Sequence, residues 1–359
     1  MKITFVLPGF VARPVGGFAV VYRYANELSR RGHLVTIVHP RFVDTSPRGV
    51  NWGKSWLWQF MALLTRDRGR PPWFELDEAV ATRLTRKILP YALPRADAVF
   101  ATARNTAFPV AQLPKSRGTK FYLIQGYENW DRSDAEVNAT WRLPLHKVVI
   151  ARWLKEIGVE LGEADHLTYI PNGVDGSEFP LKVLPEDRDP NTIGLLAHEA
   201  ELKRTADGVA AISLVREEFP KATLTLFGVA PRPAWLPGWA SYVENPSHQR
   251  LSQLYNSFAI FLHTSATEGF PLPPAEAMLS GCALVAAANR GVQEYAIDGR
   301  TALLAPIRDP AALAQRVRSL LLDPELRCRL ARNGRDVIGG FTWDRAVEAM
   351  EAMLRERVL

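Results

Sequence analysis

The sequence predicts an α/β protein built from two doubly wound domains, and three observations carry that expectation. Its 359 residues exceed one ordinary core and suit two domains of about 150–200 residues. From the N-terminus onward, short apolar runs alternate with amphipathic stretches, the order of βαβ units. At 47% hydrophobic and 23% charged, the composition is that of a folded globular chain rather than a disordered one.

The first βαβ unit opens the chain. Residues 3–7 read as a short apolar strand, and residues 8–17 as a loop containing Gly9, Pro14, Gly16 and Gly17. A helix follows over 18–31, with Val20, Val21, Tyr24, Ala25 and Leu28 at core-facing spacing. Gly32 ends it, and 34–39 form the second strand. The loop lacks the G-x-G-x-x-G spacing of a dinucleotide fingerprint. Gly16 and Gly17 would let the backbone approach a ligand closely; a tight turn would explain one of them as well. Further strands are expected over 97–103 and 119–124. The second runs into the loop Gln125-Gly-Tyr-Glu-Asn-Trp130, a candidate binding loop with Gln125, Tyr127 and Glu128. Residues 148–161 read as strand then helix, and 143–147, with His146, as the approach to that helix.

A polar, Pro-rich linker at 181–191 leads to the strand 192–197, with further strands at 223–228 and 239–245 and a helix at 249–255. The segment G-L-L-A-H-E-A-E-L-K-R-T-A-D-G holds His198 and Lys203 where strand gives way to helix. After the strand 258–263 comes the most informative stretch, E-G-F-P-L-P-P-A-E-A-M-L-S-G, from Glu268 to Gly281. A helix is expected from Pro274, with Glu276 in its first turn and Gly281 as its stop. Backbone N–H groups of the loop and helix start, including Gly269, Phe270, Pro271 and Leu272, suit a diphosphate. Carboxylates beside that anion, Glu268 and Glu276, are better placed to accept hydrogen bonds from sugar hydroxyls. An ordinary strand–helix turn would also place a capping Glu at 276. Strands at 283–287 and 302–304, a helix at 311–322 and a last helix opened by F-T-W-D-R complete the pattern.

The Glu pair around G-F-P-L-P resembles the donor-site signature of the family 4 retaining glycosyltransferases. Its flanks agree: H-T-S before it, then G-C-A-L-V-A-A-A and G-V-Q-E-Y-A-I-D-G-R-T-A-L-L-A-P after it. R-G-H-L-V-T-I-V near the N-terminus and I-P-N-G-V-D at 170–175 also fit. The resemblance implies the GT-B fold, two Rossmann-like doubly wound domains facing a cleft, with the C-terminal helix crossing back to the first domain. The domains would be 1–171, binding acceptor, 172–340, binding the nucleotide sugar, and the returning helix 341–359. It implies that Glu268 approaches the transferred sugar, Glu276 holds the ribose, Gly16 and Gly17 face the cleft, and Lys203 meets the diphosphate. His198 stands where the family usually has Arg, and Gln125-Gly126 where a His-Asp pair often stands. The wording Y-L-I-Q-G-Y-E is closer to some bacterial surface-polysaccharide rhamnosyltransferases.

Charge is uneven. Residues 1–171 carry 24 Lys+Arg against 15 Asp+Glu, and the remainder 20 against 23, within a net charge of +6. Seven of the ten Trp lie in the basic part. Residues 51–74 mix Trp52, Trp56, Trp58 and Trp73 with Arg66, Arg68 and Arg70, residue types suited to an anionic membrane surface or a stacked carbohydrate; inward-packed aromatics with a basic loop would read the same. Nucleic acid is not expected, because no recognisable module accompanies these residues. Cys282 and Cys328 are too few for a disulfide framework. The N-terminus does not read as a signal peptide, and no run reaches the ~20 apolar residues of a membrane span. The expected location is the cytoplasm, at most peripheral at the inner face of the membrane.

Asp187-Arg-Asp189 matches a D-x-D metal motif, but lies in the polar linker rather than at a strand end. No metal site and no cofactor are therefore expected. The substrate would be a UDP-, GDP- or dTDP-linked sugar, and the acceptor a glycan, a lipid-linked carbohydrate or a small molecule. The resulting expectation is a retaining, metal-independent glycosyltransferase of bacterial polysaccharide or glycoconjugate biosynthesis. A sugar-nucleotide epimerase or hydrolase of the same fold, or a non-catalytic carbohydrate-binding relative, are the alternatives.

Overall fold

The computed structural model describes residues 1–43 and 69–358. They form two compact units, Met1–Asn172 with Asp344–Leu359, and Gly173–Trp343.

The first unit holds β1 (Lys2–Val6), α1 (Gly16–Arg30), β2 (Leu34–Pro40), β3 (Ala81–Thr85), β4 (Ala98–Ala101), α2 (Arg104–Ala111), β5 (Thr119–Ile124), α3 (Asp134–Trp141), β6 (His146–Val149), α4 (Arg152–Glu160) and β7 (Leu167–Tyr169). Its sheet runs β3-β2-β1-β4-β5-β6-β7, parallel throughout. Strands covered on both faces read as continuous apolar runs, and Phe5, Phe100 and Phe121 accordingly stack through successive strands. Helix α1 buries Val20, Val21, Tyr24, Ala25 and Leu28, as its periodicity predicts.

Two expectations are corrected here. His146 belongs to β6 instead of a helix approach: it is buried, with Nε2 2.7 Å from Thr168 Oγ1. The polar pair His-Lys at this position masks a strand, because Lys147 goes inside only by meeting Glu163 at 2.6 Å and the Leu143 carbonyl at 2.9 Å. The second concerns the aromatic and basic stretch. Residues 51–68, including Arg66 and Arg68, lie outside the described residues. Arg70, however, donates to the carbonyls of Leu76, Asp77, Glu78 and Val80, and Trp73 donates to Val11 O at 3.0 Å while packing on Tyr22 and Phe74. These two side chains tie a loop to the domain rather than offering themselves to a surface.

The second unit holds β8 (Thr192–Leu196), α5 (Thr205–Glu218), β9 (Thr223–Gly228), β10 (Ser241–Glu244), α6 (His248–Ser257), β11 (Ile260–His263), α7 (Leu272–Leu279), β12 (Ala283–Ala287), β13 (Ala302–Ala305), α8 (Pro310–Leu322) and α9 (Pro324–Ile338). Its sheet runs β10-β9-β8-β11-β12-β13, again all parallel. Ile193, Leu195, Leu224, Leu226, Ile260, Leu262, Ala283 and Val285 form the core with α5 and α8. The last helix, α10 (Trp343–Val358), belongs to the first unit. There Glu351 receives Arg31 at 3.1 Å and faces His33 at 2.8 Å.

The segment read as a solvated linker hides a structural anchor. Asp187 and Asp189 are exposed, while Arg188 between them is only 5% exposed. Its guanidinium donates to the carbonyls of Val183, Tyr255, Phe258 and Ser280, joining the loop to the ends of α6 and α7. Gly281 follows α7 with φ +90°, and a Cβ there would come within 3.0 Å of that guanidinium. Replacing Arg188 with Met should take the guanidinium from these carbonyls, and each one left without a donor costs about 1–3 kcal/mol; Tyr255 O keeps Cys282 Sγ at 3.0 Å. Urea denaturation should show a loss of roughly 3–5 kcal/mol in total; a loss below about 1 kcal/mol would mean that water replaces the guanidinium.

Candidate functional site

In the second domain, Lys203 and Glu268 are 65 positions apart in sequence and meet at 2.6 Å, Nζ to Oε1. Two loops at the ends of neighbouring parallel strands bring them together. The loop after β8 is stitched to the loop after β11 by Thr264 Oγ1 donating to Lys203 O at 2.8 Å and Ala266 N–H donating to Leu202 O at 2.8 Å. Arg204 takes a left-handed conformation, φ 52°, which turns the chain directly after Lys203. A non-glycine residue there is strained. Two hydrogen bonds from its guanidinium to Asp207, each 2.9 Å, hold it.

Burial by itself would raise the Glu268 pKa, but Lys203, and after it His263, outweigh burial and hold the carboxyl below its usual range. His263 is buried and pushed down to about 4; as a neutral ring its Nε2 accepts from Asn289 Nδ2 at 3.2 Å. The same amide donates to Ser265 O at 2.9 Å. Gly291 then packs so tightly that a Cβ would lie 2.4 Å from Glu268 O. His198 projects from the loop after β8 as an exposed residue, with Nδ1 accepting from Ala200 N–H at 2.9 Å. Partial burial, then the charge of Lys203, lower its pKa.

Helix α7 begins at Leu272, two residues earlier than the sequence suggested, and Glu276 lies in its second turn. Prolines at 273 and 274 are tolerated because first-turn N–H groups have no intrahelical partner. The consequence for anion binding is that α7 presents fewer donors than an ordinary helix start, since Pro271, Pro273 and Pro274 have none. Phe270 contributes backbone alone: its ring is 5% exposed and packs on Tyr295 and Phe341. The Pro271 carbonyl is taken by the Tyr295 hydroxyl. Glu276 accepts from Tyr255 OH at 2.9 Å. Burial pushes its pKa up to about 7, and the tyrosine hydrogen bond opposes that rise.

The first domain assembles the other candidates. Gln125 Nε2 donates to Gly17 O at 3.0 Å, so the loop after β5 meets the start of α1. Gly16 and Gly17 are the first residues of that helix, which no side chain caps. Tyr127 OH donates to Asn138 Oδ1 at 2.8 Å. The Glu128 carboxylate accepts from Arg104 N–H at 3.0 Å and is raised to about 7 by burial, against the pull of Arg104. Glu128 thus holds the start of α2. Tyr255, Asn289, Gly291 and Arg204 carried no role in the sequence reading. Gly291 opens the recognised flank G-V-Q-E-Y-A and Asn289 lies just before it, whereas Tyr255 looks like any apolar helix residue.

This is a pair of parallel-sheet Rossmann-like domains, one of which carries two carboxylates and a lysine at its strand ends. Among solved structures, sucrose-phosphate synthase from Thermosynechococcus elongatus matches with TM-score 0.74 and 18% identity, covering 99% of this chain and 98% of that one. HepE from Anabaena, solved with UDP and glucose, matches with TM-score 0.74 and 17% identity over 99% and 100%. The fold is GT-B. Residues 182–337 match the family of glycosyl transferases group 1. Glycogen synthase from Mycobacterium tuberculosis is 30% identical over 200 residues, 51% of this chain and 47% of that protein. A D-inositol 3-phosphate glycosyltransferase from Xylanimonas cellulosilytica is 35% identical over 102 residues, 28% and 24% of the two lengths. The match spans about half the first relative and a quarter of the second. No helix among the described residues is long and apolar enough to cross a membrane.

Glu276 provides a test of site against stability. Its pKa is raised on folding, so its contribution to stability is full below about 4.5 and is lost as pH rises through about 7. Glu276→Gln should therefore raise the melting temperature at pH 8 and not at pH 4. The gain should be of order 1–2 kcal/mol, less than the whole shift implies because the residue keeps some access to water. Equal melting temperatures for variant and wild type at pH 8 would mean that the folded carboxyl titrates normally.

Proposed function

We propose that the protein is a retaining glycosyltransferase that moves a sugar from a nucleotide diphosphate donor to a hydroxyl of a carbohydrate, lipid-linked or small-molecule acceptor. The observation that carries this reading is the contact of Lys203 with Glu268, in the domain whose residues match the family of glycosyl transferases group 1. The bond between the sugar's anomeric carbon and the diphosphate oxygen breaks as positive charge grows on the sugar and negative charge on the leaving group. Lys203, a compact cation with three donors, meets that growing charge without a metal ion. Gly269, Phe270 and Leu272 add backbone N–H groups.

Glu268, relieved of Lys203 by the arriving diphosphate, accepts from hydroxyls of the transferred sugar. Glu276, oriented by Tyr255, accepts from the ribose hydroxyls. Attack from the face that the diphosphate leaves would retain configuration, with the departing phosphate taking the acceptor's proton. A uridine nucleotide is supported by HepE, solved with UDP and glucose; GDP- and dTDP-sugars remain in the class. Glycan or glycoconjugate synthesis is the setting that the relatives' names support. The first domain, with Gln125 and Tyr127, would receive the acceptor.

A nucleotide-sugar panel screened by thermal shift identifies the donor, and nucleotide release is then followed with and without acceptors. Release that requires an acceptor supports transfer. Release without one identifies a hydrolase, and binding with no turnover a non-catalytic relative. Lys203→Ala should lower kcat by about 100-fold or more, the usual effect of removing a preorganised electrostatic partner, with a smaller change in donor affinity. An unchanged kcat would exclude Lys203 from the mechanism.

A further inference from the structure

Asn289 stands just after β12 and reaches across to the end of β11, which His263 closes. Both side chains are buried. Asn289 Oδ1 accepts from Val292 N–H at 3.0 Å, and Nδ2 donates to Ser265 O at 2.9 Å. Nδ2 also lies 3.2 Å from His263 Nε2 and 3.4 Å from Ala287 O.

These contacts decide which way the amide points. A backbone N–H only donates and a backbone carbonyl only accepts. Exchanging the amide's oxygen and nitrogen would therefore set donor against donor at Val292 and acceptor against acceptor at Ser265. The nitrogen faces His263, and an amide nitrogen donates but does not accept. His263 Nε2 is then the acceptor, and the ring's proton sits on Nδ1. A charged imidazolium carries N–H at both nitrogens, so its Nε2–H would meet the amide N–H head-on. Turning the amide to relieve that clash would release Val292, which opens the short helix Val292–Glu294. Gly291, one residue before it, is packed against the Glu268 carbonyl. Burial acts in the same direction as this geometry; of the charged neighbours, Glu268 favours a charged ring and Lys203 opposes it. The amide thus holds neutral a histidine that a neighbouring carboxylate pulls towards its charged form.

A charged His263 would be a second cation acting on Glu268. The carboxylate would stay partnered after Lys203 had moved to an anion, and its oxygens would be less available to hydroxyls. We propose that Asn289 is a positioning residue that locks His263 in its neutral, Nδ1-protonated form, so that Glu268 is released to the transferred sugar when Lys203 turns to the diphosphate. The consequence for the sugar rests on the donor reading above; the lock itself does not.

Nuclear magnetic resonance of isotope-labelled histidines follows the ring, whose signal is the one missing from His263→Gln. In wild type it should show the Nδ1–H tautomer and stay neutral from about pH 5 to 8. Asn289→Asp keeps an oxygen for Val292 N–H and presents another to His263 Nε2, so the ring's titration should move up by about two pH units or more. Asn289→Ser, which adds no charge, reads the same lock if the aspartate variant fails to fold: without the amide the ring should show both neutral tautomers. Calorimetry with UDP and UDP-glucose then tests the consequence. Asn289→Asp should bind UDP as wild type does and UDP-glucose about tenfold more weakly, because Glu268 serves the sugar and not the nucleotide. If wild type binds neither nucleotide, the donor reading fails and the ring's titration decides the lock. The lock is overturned if the wild-type ring carries its proton on Nε2, or titrates near the ordinary value of about 6.5. Its role at the sugar is overturned if the ring charges in Asn289→Asp and both nucleotides bind as in wild type.

Discussion

Lys203 and Glu268 share a short, half-buried contact, and much of the second domain is arranged to keep it. Taking either charge from water is expensive, and partnership in the interior repays that cost only with good geometry. Here the geometry comes from backbone. Thr264 and Ala266 bind the loop of Lys203, while Asn289 and Gly291 clamp the loop of Glu268. The left-handed Arg204 is the strained turn that aims the lysine, fixed by Asp207. The pair also keeps the ammonium from wandering before an anion arrives. On the proposed reading a diphosphate, carrying more charge than one carboxylate, would compete for it. Glu268 would then be a carboxylate already desolvated and ready to accept from hydroxyls.

The start of α7 explains why a lysine matters so much. A helix N-terminus offers an anion up to four free N–H groups and the positive end of a dipole. Three prolines among residues 271–274 remove most of those donors and fix the backbone instead. Rigidity is gained, and hydrogen bonds to a phosphate are lost. In the proposed reaction Lys203 would then carry a larger share of the electrostatics than it would beside a glycine-rich loop.

Legibility followed the physics of each signal. Parallel strands buried on both faces announce themselves as apolar runs, so β1, β2, β5, β8 and β9 were read close to their observed bounds. β6 was not, because its buried His146 and Lys147 are made tolerable by Thr168 and Glu163, partners that only the folded chain supplies. Arg188 failed for the same reason: amid D-R-D it reads as solvent-facing, yet four carbonyls, three of them from distant segments, draw it inside. At the candidate site, Lys203, Glu268 and Glu276 stand out in the sequence through their spacing and flanks. Their direct contact, and the Tyr255 hydroxyl beneath Glu276, depend on loop register and core packing, which one-dimensional spacing does not encode.

The charges at the candidate site are matched before any ligand arrives: Lys203 meets Glu268, Arg204 meets Asp207, and Glu276 accepts from the Tyr255 hydroxyl. A ligand entering there must exchange one partner for another, so selectivity rests on matching geometry that already exists.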